Sequence, residues 1–251
     1  MKKQQLIGAY IIRMETVSST NQYASETMKN ELFPEGTVIW ALNQTQGKGQ
    51  KGNYWESEKG KNLLLSIILY PDYIKASSQF VLNKIISLGV AEFIQSLTKG
   101  VSIKWPNDIY VDNKKIAGIL IENRIMGDSI QSSIIGIGIN INQIKFISDA
   151  PNPISLFNIT NKEYELKECL QSLCNYLNKW YGSLLRNEFE LIDSSYLNLL
   201  KNYNIFSKYL YKGIEIEAQI KGVTEYGKLI IETQERLIIE CDLKEITFLF
   251  N

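Results

Sequence analysis

Gln44-Thr45-Gln46-Gly47-Lys48-Gly49-Gln50-Lys51-Gly52-Asn53-Tyr54-Trp55, QTQGKGQKGNYW, is the stretch on which the reading of this chain turns. Three glycines and two lysines fall between Gly47 and Gly52. Glycine admits positive φ and lets a backbone approach a ligand closely. Successive free N–H groups flanked by lysines make a cradle for an anion. Gly47, Gly49 and Gly52 also spell G-x-G-x-x-G, the dinucleotide fingerprint, but that device needs a helix opening at its last glycine. Here the chain continues NYWESEKGKNLLLSIILY, a polar turn and then an apolar run from Leu63 to Tyr70. With the apolar run Thr37 to Leu42 in front, in a strand expected over Thr37 to Gln44, the loop reads as an anion-binding connection between two strands.

Working outward, Ala9 to Met14 reads as a strand. Ser18-Ser19-Thr20-Asn21-Gln22 then opens a helix running to about residue 30, with Ser19 and Gln22 spaced as a capping box. Gln79 to Leu97 has the periodicity of a helix buried on one side. Val101 to Lys104 is a strand ended by Trp105-Pro106-Asn107-Asp108. Ile109 to Val111 and Lys115 to Glu122 form a hairpin around Asp112-Asn113. Ile130 to Asn142 reads as a strand pair or one long strand, interrupted at Gly136 and Gly138. Ile154 to Phe157 reads as irregular, and Glu163 to Asn187 and Leu191 to Asn202 as helices. Near Tyr203 the composition changes to short alternating strands, Gly213–Ile220, Gly227–Thr233, Leu237–Cys241 and Glu245–Phe250, which suit a small β-barrel. The expected division is a large unit, 1–203, and a small terminal one, 204–251.

Composition narrows the chemistry. The 251 residues carry 27 basic and 27 acidic side chains, so no charge excess argues for nucleic acid. There is no histidine, which removes Ser-His-Asp and Cys-His nucleophile schemes and the usual zinc sets. Three cysteines without metal spacing read as reduced thiols without a catalytic role. No stretch has the length or apolarity of a membrane span or secretory signal, so a cytoplasmic location is expected.

Further motifs follow the loop. SIKWPND puts Lys104 at the end of a strand before a Trp-Pro turn. KIAGILIE has a small Ala117-Gly118 pair against which a ligand can lie flat, and GIGIN ends in Asn140. Each has an ordinary structural alternative: an exposed strand-end lysine, a packing glycine, a turn-capping asparagine. Taken in order, SSTNQ (18–22), QTQGKGQKGNYW (44–55), KWPND (104–108), KIAGILIE (115–122) and GIGIN (136–140) resemble the biotin–protein ligases, which biotinylate the carrier domain of acetyl-CoA carboxylase and related carboxylases.

The resemblance implies an α+β fold: a central mixed or antiparallel sheet with flanking helices, class II synthetase-like, plus a small C-terminal SH3-like β-barrel. It implies ATP-dependent formation of biotinyl-5′-AMP and transfer of biotin to a carrier lysine, with biotin and ATP as substrates, Mg2+ as cofactor and unassigned metal ligands. Ser19, Thr20, Asn21 and Gln44 match the positions around the biotin ureido group. Gly47, Lys48, Gly49 and Gln50 match the loop over biotin, and Gly118 the close-approach glycine. Lys48, Gln50, Lys51, Gly52, Trp55, Asn107, Lys115 and Asn140 match the ATP or adenylate side, and Lys104 the catalytic lysine on the phosphoryl oxygens. Asp108 is the candidate base for the incoming lysine. SSTNQ begins at Ser18, which leaves no room for the DNA-binding domain of repressor-type members, so a short form without nucleic-acid binding is expected; a homodimer is possible. The chain departs from the family's usual G-R-G-R-x-G-R: Lys48, Gln50 and Asn53 stand where arginines are usual. Lipoate–protein ligase, a non-catalytic biotin or nucleotide sensor, and a Rossmann dehydrogenase are the competing readings.

Overall fold

The structure, a computed structural model, describes residues 6–50, 53–148 and 152–249. The apolar runs preceding residue 140 become β1 (Ile11–Met14), β2 (Val38–Ala41), β3 (Leu63–Leu69), β4 (Val101–Lys104), β5 (Asp108–Val111), β6 (Lys114–Met126) and β7 (Ser129–Ile139). They form one mixed sheet in the order β1-β2-β3-β7-β6-β5-β4. β1 and β2 run parallel and the remaining neighbours antiparallel. β3 is buried along its full length, as a Leu/Ile run broken only by the small Ser66 and lying between two covered faces should be.

The helices are α1 (Thr20–Thr27), α2 (Phe80–Gln95), α3 (Leu156–Thr160), α4 (Leu166–Leu185) and α5 (Phe189–Leu199). Alternation along each strand assigns the two faces. Leu63, Leu65, Ile67 and Leu69 join α2 and α4 in the main core, each contributing about 1.5–3 kcal/mol by leaving water. Gly89 lets those helices touch, since a Cβ there would lie 2.8 Å from Leu177 Cδ2. On the opposite face Ala24 of α1 packs on Ile39, Ile68 and Ile134. That cluster is small, which leaves sheet surface beside it for a site.

The chain then forms β8 (Ser207–Tyr211), β9 (Ile214–Val223), β10 (Leu229–Thr233), β11 (Ile238–Cys241) and β12 (Ile246–Phe248), antiparallel in the order β11-β10-β9-β8-β12. This sheet is consistent with an SH3-like unit. Its inward residues Tyr209, Ile220, Leu229, Ile231 and Phe248 merge with the main core, and Trp105 Nε1 donates to the Gly227 carbonyl at 2.9 Å. Among the described residues no helix is long and apolar enough to cross a membrane.

Several expectations are corrected. β7 passes through Gly136 and Gly138 as one unbroken strand, because both glycines keep ladder partners on each side. Residues after Ser155 are helical rather than irregular: the Ser155 hydroxyl accepts from Asn158 N and Asn158 Oδ1 accepts from Ser155 N, a reciprocal cap. β8 was not expected at all. α1 ends at Thr27, and the Ser19–Gln22 capping box does not form. The Gln22 side chain, which would have to reach back to the Ser19 N–H, donates to Glu26 instead, and the Ser19 side chain makes no cap hydrogen bond.

Candidate active site

Directly opposed residues in antiparallel strands share a face. On the α1 side, one row across the sheet is therefore Lys104, Asp108, Gly118, Gly138 and Leu64. The next is Leu120, Gly136 and Ser66, and the third Glu122, Ile134 and Ile68. Three glycines in adjacent positions make a flat floor, and the polar side chains stand around it in one cavity.

At one end of the cavity lies a buried amide and hydroxyl cluster: Ser19, Thr20, Asn21, Gln44 and Ser66. Thr20 donates to Gln44 Oε1 from its backbone N–H at 2.7 Å and from Oγ1 at 3.1 Å. The N–H has no other role open to it, so the amide of Gln44 is held with Nε2 free to donate into the cavity. Asn21 Nδ2 donates to Glu122 Oε2 at 2.7 Å, and the Ser66 hydroxyl lies 2.5 Å from Asn21 Oδ1.

The roof is the glycine-rich loop. Trp55 N donates to Gly47 O at 2.9 Å and Gly49 N to Asn53 O at 2.7 Å, with Lys48 bridged to Tyr54. This corrects the simplest picture of a cradle: the Gly49 N–H is occupied, and neither Gly47 nor Gly49 uses positive φ. Gly47 is needed for closeness, because a Cβ would lie 2.6 Å from the Trp55 carbonyl. The ribbon presses the Trp55 indole onto the floor, where a Cβ on Gly138 would meet it at 2.5 Å and one on Gly118 at 2.9 Å. The ring lying flat on Gly118 in this structure is thus Trp55. Its Nε1 is buried without a partner among the described residues.

At the other end stand the cations. Lys115 Nζ pairs with Asp108 Oδ1 at 2.7 Å and lies 5.6 Å from the centre of the Trp55 ring. Lys104 is half-buried, with Nζ 5.0 Å from the Phe248 ring centre and 5.8 Å from that of Tyr110. Burial lowers its pKa from the ordinary lysine value, the Asp108 charge opposes that, and Lys115 reinforces it. A cleft running from Gln50 and Asn53 past Lys104 to Lys244 and Phe248 continues the cavity toward the C-terminal sheet.

The profile of the Biotin/lipoate A/B protein ligase family matches residues 14–140, the segment that builds floor, roof and both ends. The chain belongs to this family. Among curated relatives, the bifunctional ligase/repressor BirA of Bacillus spizizenii is 30% identical over 240 residues, 93% of this chain and 72% of that protein. BirA of Escherichia coli is 36% identical over 139 residues, 55% of this chain and 42% of that protein. Among solved structures, the Aquifex aeolicus biotin protein ligase in complex with biotin and ATP superposes with a TM-score of 0.78 at 28% identity, covering 95% of this chain and 98% of that one.

Measured against this family member's sequence motifs, the cavity brings together Ser19, Thr20, Asn21, Gln44, Lys48, Gly49, Gln50, Trp55, Lys115 and Gly118. Gly47 supports the roof from behind. Lys104 and Asn107 line the neighbouring cleft instead. Asn107 is a brace, its Nδ2 donating to the Ile119 carbonyl. Asn140 gives Nδ2 to the Ile154 carbonyl at 3.1 Å, and its buried Oδ1 has no partner among the described residues. Lys51 and Gly52 lie outside the described residues. Missed in the sequence were Ser66 and Glu122; the signal for Glu122 was available, since it falls on the face of Gly118 and Leu120 by simple alternation. The cysteines stay out of the site: all three are buried, which pushes each thiol up to about 11.

Proposed function

We propose that this chain is an ATP-dependent biotin–protein ligase, which joins biotin to AMP and then transfers the biotinyl group to a lysine of a biotin carboxyl carrier domain, that of acetyl-CoA carboxylase or a related carboxylase. The observation that carries the reading is the polarity of the cavity, with neutral amides and hydroxyls buried at one end and lysines at the other. A urea needs a donor for its oxygen and acceptors for its N–H groups, and Gln44 Nε2, Thr20 Oγ1, Asn21 Oδ1 and Ser19 supply both kinds. A lipoyl ring has no such requirement, so this end favours biotin over lipoate.

With the ureido ring there, the valeryl chain runs past Gly136 and along the edge of the Trp55 indole, and the carboxylate reaches Lys48 and Lys115. The carboxylate oxygen attacks the α-phosphorus of ATP in line and pyrophosphate departs. Lysines 104 and 115 stabilise the charge that develops, which is nearly all the protein has to supply in such a transfer. The partnerless Asn140 Oδ1 suits the adenine amino group, since leaving a buried acceptor unmet costs about 1–3 kcal/mol. The carrier lysine then attacks the acyl carbon and AMP leaves. Asp108 is occupied by Lys115, which makes it an orienting group for that cation in our reading rather than a free base. Magnesium fits as an ion carried in on the triphosphate: it takes one or two carboxylates and keeps several waters, and among the described residues no group of three or more acidic or sulfur ligands is assembled.

We also assign residues 1–203 to the ligase unit and 204–251 to the small terminal one, whose Phe248 borders the cleft beside Lys104. Incubation with biotin, Mg-ATP and a biotin carrier domain tests the whole reading: the carrier should gain one biotinyl group by mass. Tight biotin binding with an unmodified carrier would favour a sensor, and ATP–pyrophosphate exchange driven by lipoate in place of biotin would favour a lipoate ligase.

A further inference from the structure

A series of hydrogen bonds runs from Glu122 through Asn21, Ser66 and Thr20 to Gln44. Both of its ends have a fixed sense. The Thr20 N–H can only donate, which turns Gln44 Oε1 toward it. The Glu122 carboxylate is an acceptor, which turns Asn21 Nδ2 toward it and Oδ1 toward Ser66. Ser66 has a single proton, 2.5 Å from Asn21 Oδ1 and 2.7 Å from Thr20 Oγ1 by heavy-atom distance. With Oδ1 presented, the proton goes to Asn21, and Thr20 Oγ1 keeps its lone pairs for the cavity. Gly136 makes room for this arrangement, since a Cβ there would sit 2.5 Å from Asn21 Oδ1.

We propose, resting on the biotin reading above, that Glu122 is a positioning residue that fixes the hydrogen-bond polarity of the ureido end. Glu122 lies outside the cavity lining, and among the described residues its carboxylate reaches it through Asn21. Without its carboxylate Asn21 Nδ2 is left with the long 3.4 Å contact to the Leu120 carbonyl, a weak restraint against the amide turning by half a rotation to offer Nδ2 to Ser66. The Ser66 proton then swings to Thr20, and an N–H of Asn21 stands where the cavity had an acceptor. The ureido N–H groups meet a donor and lose an acceptor, while the phosphate end, with Lys115 at the far end of β6 and Lys104 two strands over on β4, is untouched.

The test is ATP–pyrophosphate exchange on the full chain with biotin. Glu122→Leu should raise KM for biotin roughly tenfold or more, the scale of a mismatched buried hydrogen bond, with kcat and the KM for ATP at saturating biotin changed by no more than about twofold. Glu122→Gln, which retains an acceptor oxygen, should recover most of the biotin affinity. Ser66→Ala cuts the series at its middle and should show the same biotin-selective defect, which keeps the test decisive if Glu122→Leu does not fold. Unchanged KM for biotin in the folded variants, or equal losses for biotin and ATP, overturns the proposal. Exchange by the parent chain with biotin secures the underlying reading independently; a parent that exchanges alongside indifferent variants sinks Glu122 alone, and a parent that never exchanges with biotin sinks both.

Discussion

Replacing Gly138 by alanine places a methyl carbon 2.5 Å from Cε2, 2.7 Å from Nε1 and 2.9 Å from Cζ2 of Trp55. Ordinary contact begins near 3.4 Å, so the indole must retreat by roughly 1 Å or the strand must yield. The strand is held between β3 and β6 by ladders on both sides, which leaves the indole and its ribbon to move. Overpacking of this kind costs about 1–3 kcal/mol. If that strain falls on the closed roof, kcat/KM for adenylation drops by roughly 5- to 150-fold, at about 1.4 kcal/mol per decade. The measurement is ATP–pyrophosphate exchange with biotin, alongside urea unfolding to confirm that the variant is native. Adding Trp55→Ala to Gly138→Ala should relieve the clash, giving a coupling of at least about 1 kcal/mol between the two sites. Losses that simply add, or a Gly138→Ala enzyme within about twofold of the parent, would refute the packing of Trp55 on the glycine floor.

Lys104→Ala should reduce adenylation by at least about a hundredfold, the scale of one lost charge-stabilising donor, with biotin binding largely kept; near-normal turnover would remove Lys104 from the reaction. Burial lowers the Lys104 pKa, so the ammonium is present below that value and lost as pH rises through it. Activity should therefore decline on the alkaline side earlier than an ordinary lysine dictates, and Lys104→Arg should push that limb upward if it retains turnover. Gln50→Arg restores a fork of donors in the loop and should slow adenylate dissociation, by a factor corresponding to about 1–3 kcal/mol; an unchanged off-rate disposes of the idea that the missing arginines matter. Burial alone would raise the Glu56 carboxyl, yet hydrogen bonds from Ser148, Ile147 and Gln143 together hold it below the usual value. Its contribution is present above the unfolded carboxylate pKa and lost as pH falls through the lower folded one. Glu56→Ala should speed amide exchange at Ile147 and Ser148, whose N–H groups it accepts at 2.9 Å, and unaltered exchange there would count against this clasp.

Much of the molecule was legible in the chain alone. Strong periodicity located β3, α2 and α4, because a Leu/Ile run broken once, at Ser66, and a three-to-four-residue repeat leave few alternatives. The absence of a helical pattern after Gly52 was enough to reject a dinucleotide fold, and motif order placed the site on the strands. The five-residue strand β8 escaped because SKYLY has weak alternation, with Tyr209 alone fully buried; it pairs with β9 across the short Lys212-Gly213 turn and with β12 near the end of the chain. The capping box failed for a local reason: Ser19 and Gln22 have the right spacing, but the Gln22 side chain pairs with Glu26 one turn on and Ser19 makes no side-chain cap bond.

Residue identity determined which groups are available here: glycines at alternating positions of β7, a histidine-free set of lysines, and amides beside hydroxyls in SSTNQ and Gln44. Spacing further fixed which of them share a strand face. Tertiary structure alone decided what each group does. Pairing of β6 with β7 sets Gly118 against Gly138, and the folding back of the loop onto itself takes up the Gly49 N–H and lays Trp55 on that pair. The meeting of α1 with β6 and β3 brings Glu122, Asn21 and Ser66 into one hydrogen-bonded series. Those contacts span 45 to 101 residues of chain, and local pattern holds no record of partners so distant, because only packing of the buried faces sets their register.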